Sequence, residues 1–72
     1  MSLTLVLNGQ SRTFESLANG SSLQQLVETL ALKSDRVALE HNGEIAPRTS
    51  WAGVGVTEGD RIEIVHFVGG GC

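Results

Sequence analysis

A single amphipathic helical stripe set among short alternating segments most constrains what this chain can fold into. Leu23, Leu26, Val27 and Leu30 stand at i, i+3, i+4 and i+7 behind Ser21 and Ser22. That spacing predicts one helix, from Ser22 to Leu32, with one apolar face. Gln24 and Gln25 lie three residues after the two serines, so either pair can close a capping box. A helix with one apolar stripe must cover another layer, and the rest of the sequence reads as strands. The predicted class is α+β, with the helix packed on one face of a sheet.

The strands are marked by period-two alternation and by turn residues. Leu3, Leu5 and Leu7 alternate with Thr4 and Val6, and Asn8-Gly9 tolerates the positive φ of a tight turn before Arg12 to Glu15. Val37, Leu39 and His41 alternate with Ala38 and Glu40, and Asn42-Gly43 turns the chain into Glu44-Ile45-Ala46. Pro47 has no N–H to pair and ends that hairpin. Thr49 to Ala52 reads as a capped helical turn or an irregular loop, with Trp51 closing one end of the core. Glycines at 53, 55 and 59 predict a loose connection into the last strand, Arg61 to Val68. There Ile62 and Ile64 share one face while Val65 and Phe67 point to the other. The second pair either forms an exposed apolar patch, the mark of a partner surface, or packs beneath a loop.

Seventy-two residues make one domain, close to the size at which a single core suffices. The five basic residues are dispersed in a chain of net charge −3, which gives no stripe for nucleic acid. The longest apolar runs fall far short of the roughly 20 residues of a membrane span, and no secretory leader is recognisable. With one cysteine and no internal disulfide, the expectation is a soluble cytoplasmic protein. His41 and His66 have no companions that would complete a zinc ligand set, and His66 reads as structural or solvated. Gly53-Val54-Gly55 does not continue as a nucleotide-binding fingerprint, and no Ser-His-carboxylate order suggests an enzyme.

The strongest functional signal follows the last strand. Gly69-Gly70-Gly71-Cys72 carries no packing side chain before Cys72. Ordering three glycines costs about 3–6 kcal/mol, so stability does not explain them. Extended, four residues reach about 13–14 Å, enough to thread a narrow crevice on another protein. Residues 1–68 are therefore read as the folded domain and 69–72 as a flexible tail.

A hairpin, a helix, Val37 to Glu40 with Asn42 to Ile45, Pro47-Arg48, Trp51, Gly59-Asp60, the strand from Ile62 to Val68 and the glycine tail follow one another here. In that order they resemble the ThiS family of sulfur carriers in thiamine thiazole biosynthesis. The resemblance covers essentially the whole chain. It implies a ubiquitin-like β-grasp with a mixed sheet and adjacent first and last strands. It also implies that the chain catalyses nothing and binds no cofactor. A ThiF-type adenylating enzyme would use ATP and magnesium to activate the terminal glycine. A persulfide sulfur donor would then displace AMP, and the resulting thiocarboxylate would pass sulfur to thiazole synthase.

On this reading Gly71 is the acceptor, Gly70 and Gly69 are threaded beside it, and Val65, Phe67 and Val68 dock the body on its partners. Cys72 departs from the family's terminal glycine. It is a residue removed by a peptidase, which is the favoured reading, an addition to the expressed chain, or a functional thiol. Related carriers for molybdopterin or cysteine synthesis, and a β-grasp interaction module with an incidental tail, are the alternatives.

Overall fold

The computed structural model describes residues 2–67. Val68 and the expected tail, residues 69–72, lie outside the described residues, as does the boundary drawn between domain and tail. Two local hairpins form the outer parts of the sheet. Strand β1 (Leu3–Leu7) pairs with β2 (Gln10–Phe14), and β3 (Val37–His41) pairs with β4 (Glu44–Ala46), both antiparallel. Each is closed by an Asn-Gly pair with positive φ at both residues, 49° and 82° at Asn8-Gly9 and 52° and 87° at Asn42-Gly43. These are the values that a two-residue hairpin matched to strand twist demands. The tight first turn starts pairing at Gln10, two residues earlier than the apolar pattern suggests, because ladder bonds do not require apolar side chains.

Strand β5 (Arg61–His66) joins the hairpins, giving the order β2-β1-β5-β3-β4. It runs parallel to β1 through Val6↔Arg61 and Leu7↔Ile62, and antiparallel to β3 from Val37↔His66 to His41↔Ile62. The sheet is therefore mixed, with the first and last strands side by side. Helix α1 (Leu23–Thr29) covers one face, placing Leu23, Leu26 and Val27 against Leu3, Leu5, Leu39 and Ile62 in the core. A 3-10 turn from Arg48 to Gly53 buries Trp51 to 1% exposure, and its indole N–H donates to the Ala46 carbonyl at 2.7 Å. A second, Ser34–Arg36, leads into β3.

Of the two capping boxes open to the helix start, the one formed is Ser22 with Gln25. The Gln25 N–H donates to Ser22 Oγ at 3.1 Å, and the Ser22 N–H donates to Gln25 Oε1 at 2.8 Å. The helix ends at Thr29, short of the expected Leu32. Ala31 adopts φ 58°, its N–H bonds to the Glu28 carbonyl at 3.0 Å, and the Leu32 N–H bonds to the Val27 carbonyl at 3.1 Å. This pair of bonds satisfies the orphan carbonyls of the last turn in a Schellman arrangement, with alanine where glycine is usual. The segment around Gly53 and Gly55, expected to be loose, is paired instead. The Val54 carbonyl accepts from Leu23 N–H at 2.9 Å, and Val56 N–H donates to the Ser21 carbonyl at 2.8 Å. The segment thus satisfies the first free N–H of α1 and is held by it.

A polar cluster fastens the β3–β4 turn to the start of β5. His41 Nε2 meets Asp60 Oδ2 at 2.8 Å, while Asp60 accepts from the Thr57 N–H and hydroxyl, each at 3.0 Å. Asn42 accepts the Arg61 N–H at 2.8 Å. Burial by itself would raise the Asp60 pKa. The hydrogen bonds from His41, Thr57 and Asn42 outweigh it and lower the value to about 2.

Two outcomes are expected. Left-handed backbone costs a non-glycine residue about 1–2 kcal/mol, and glycine carries about 0.5–1 kcal/mol more chain entropy. Ala31→Gly should therefore raise stability by up to about 1 kcal/mol in chemical denaturation; a lower midpoint would count against the strained turn. Asp60 titrates lower when folded than when unfolded, so its stabilisation is complete above about pH 4 and disappears as pH falls through about 2. The stability gap between wild type and Asp60→Asn should be widest near neutrality and close over that interval. A gap independent of pH would contradict it.

Candidate functional site

The surface leading into residues 69–72 is built by the alternation of β5. Ile62 is turned into the core, whereas Val65 keeps 55% of its surface and Phe67, just past the strand, 52%. Of the two readings left open by the sequence, the exposed patch is the one observed. The Phe67 N–H donates to the Arg36 carbonyl at 2.9 Å, which extends the pairing with the β3 side one step beyond His66. The backbone is thereby held up to the last described residue.

The register carries the patch across the sheet. Val65 faces Ala38 on β3, and Glu40, two residues along, faces both Glu63 on β5 and Ile45 on β4. Ile45 is 77% exposed, the most open large apolar side chain among the described residues. Ile45, Phe67 and Ala38 border a groove of about 410 Å³ whose further walls include Pro47, Arg48 and Trp51. Glu40 and Glu63 lie directly opposite one another on the same face, and among the described residues neither is in an ion pair. The face is thus apolar at the end leading to residues 69–72 and acidic beside it.

Val65 and Phe67 fall where the sequence placed them, on the face away from the helix. Val68, Gly69, Gly70, Gly71 and Cys72 lie outside the described residues. Ile45 was not singled out by sequence reasoning. The signal was available, because a two-residue turn at Asn42-Gly43 pairs Ile45 with Glu40 and so points it away from the face of Leu39. Trp51 is structural, as expected, yet its ring also backs the groove. His66 is exposed and projects on the helix side with Ile64. Among the described residues, no three metal-ligating side chains converge, and no helix is long and apolar enough to cross a membrane.

Comparison with known proteins gives this geometry a lineage. The ThiS family model matches residues 5–71. The sulfur carrier protein ThiS of Bacillus subtilis is 36% identical over 67 residues, covering 93% of this chain and 98% of that protein. A thiazole synthase of Paramagnetospirillum magneticum is 42% identical over 69 residues, covering 96% of this chain, and this chain spans only 20% of that protein's length. The crystal structure of the thiamine biosynthesis protein ThiS from Geobacter metallireducens superposes with a TM-score of 0.81 at 30% identity, covering 96% of this chain and 100% of that one. With its β-grasp sheet, single main helix and glycine-rich segment matched from Leu5 through Gly71, the chain belongs to the ThiS family.

Proposed function

We propose that this protein is a sulfur carrier for thiamine thiazole biosynthesis, in which the folded body docks and the glycine segment is the part that reacts. The observation that carries the reading is the solvent-exposed apolar pair Val65 and Phe67 at the end of β5 and just past it, followed in the sequence by Val68 and three glycines in a ThiS-family chain. The family match stops at Gly71, one residue before Cys72, which supports Gly71 as the acceptor once Cys72 is removed by a peptidase.

The Gly71 carboxylate attacks the α-phosphorus of ATP on a ThiF-type adenylating enzyme, with magnesium, and pyrophosphate leaves. The acyl-adenylate is a far better electrophile than the carboxylate. A persulfide attacks its carbonyl and expels AMP, and cleavage of the S–S bond by a thiol leaves a glycyl thiocarboxylate. All of these steps take place in the partners' sites, and the carrier supplies no catalytic group or cofactor. Its receiving partner is a thiazole synthase, in keeping with the occurrence of a segment similar to this chain within polypeptides of that name. Glycine is required along residues 69–71 because a Cβ would meet the walls of a site that closes around an acyl-adenylate.

Body docking must offset the ordering of three glycines, about 3–6 kcal/mol. Among the described residues, Ile45, Val65 and Phe67 are the exposed large apolar groups available for it, and a few well-placed anchors dominate interface energetics. Ile45→Ala combined with Phe67→Ala should leave the fold intact, since both side chains are exposed, and weaken binding to the adenylating enzyme by about tenfold or more. Unchanged affinity would place the docking surface elsewhere. In a reaction with adenylating enzyme, ATP, magnesium and a sulfur donor, a chain ending at Gly71 should gain one sulfur in place of one oxygen by mass spectrometry. The chain still carrying Cys72 should gain none, and sulfur on the intact chain would refute the assignment of Gly71.

A further inference from the structure

The opposite side of β5 carries a second feature that the sulfur-carrier reading does not use. A cleft of about 290 Å³ lies between the β1–β2 turn, the end of α1 and the end of β5. Leu7, Leu30, Leu32 and Ile64 form its apolar half, and Asn8, Gln10, Arg12 and His66 its polar half. None of its lining residues is a carboxylate, although the chain as a whole has a net charge of −3. Arg12 lies over the Phe14 ring at 5.4 Å and, among the described residues, is in no ion pair.

The backbone beside the cleft is open as well. Strand β1 stops pairing at Leu7↔Ile62 because the chain turns at Asn8-Gly9. The Asn8 side chain then substitutes for the missing strand: Oδ1 accepts the Ile64 N–H at 2.6 Å and Nδ2 donates to the Ile64 carbonyl at 3.3 Å. By the same alternation the peptide N–H and C=O of His66 face this side, beyond the last pair with β1. A cleft that is half apolar, a cation in it with no carboxylate in the lining, and a strand edge with its donor and acceptor unpaired by β1 together define a recognisable mode of binding. Main-chain hydrogen bonds to an added strand provide affinity, and a pocket for its side chain provides selectivity.

We propose that this cleft is a second docking site, distinct from the open sheet face, which takes an extended acidic segment of a partner protein. An apolar side chain of the segment fills the space between Leu30, Leu32 and Ile64, its main chain bonds to His66, and a carboxylate next to the apolar residue meets Arg12. The site lies on the helix side of β5, so a partner here and a partner on the Ile45 and Phe67 face would hold the strand from opposite sides. The proposal stands whether or not residues 69–71 carry sulfur.

The test is a nuclear magnetic resonance titration of the full chain with two capped tripeptides, acetyl-Val-Leu-Glu-amide and acetyl-Val-Leu-Lys-amide. The glutamate peptide should give saturable shifts at Leu32, Ile64 and His66, and bind about fivefold more tightly than the lysine peptide, the scale of an exposed ion pair. Arg12→Gln should remove most of that difference, and Arg12→Lys should keep it. Equal binding of the two peptides, or shifts centred on Val65 and Ile45, would overturn the proposal. So would concentration-dependent shifts at the cleft without peptide, which would assign it to a second copy of this chain.

Discussion

The pairing of β5 with both hairpins is the interaction on which the rest of this structure depends. Each hairpin is a local product of its Asn-Gly turn, and an isolated two-stranded hairpin is marginal in water. Among the described strands β5 alone pairs with both, through two register pairs with β1 and five with β3. The β1 side is short, yet it is reinforced at both ends. Val6 N–H bonds to the Asp60 carbonyl at 2.9 Å, Asn8 N–H bonds to the Ile62 carbonyl at 2.9 Å, and the Asn8 amide holds Ile64. Without these contacts the Leu3, Leu5 and Leu39 side chains would have no common floor for α1 to cover.

The same strand links the fold to its proposed use. Its inward residues anchor it, with Ile62 fully buried, and its outward residues remain for partners. Glu40 and Glu63 facing one another is a costly choice for a sheet, since like charges directly opposite destabilise it. A partner with basic groups would relieve that repulsion, so this pair favours association at the expense of the free carrier. The bond from Phe67 N–H to the Arg36 carbonyl fixes the backbone as far as Phe67, two residues before the first glycine in the sequence. A fixed origin matters, because every residue ordered between body and reacting group adds to the entropy cost of docking.

Much of this arrangement was legible in the sequence because it rests on local rules. Asn8-Gly9 and Asn42-Gly43 dictated their turns, Ser22 and Gln25 dictated the helix start, and the alternation of β5 separated Ile62 from Val65. What could not be read depends on contacts between distant segments. Nothing in Ala31 announces a left-handed residue; it is held there by bonds to Glu28 and, through Leu32, to Val27. Gly53 and Gly55 look like punctuation until Ser21 and Leu23 are seen to bond across to their neighbours. Ile45 lies in a three-residue strand, too short for alternation to declare a face without the register that its turn imposes. Gly69 to Gly71, proposed as the reacting segment, draw notice for the opposite reason, since three consecutive glycines gain little from packing and cost chain entropy if ordered.

On the proposed function this segment, and no group on the folded body, carries the sulfur. The most direct measurement of this claim is growth without added thiazole in cells whose own carrier has been removed and replaced by this chain, either intact or lacking Gly70 and Gly71. The intact chain should restore growth, and the shortened one, at equal abundance and with its fold preserved, should not. Growth restored by the shortened chain would contradict the claim.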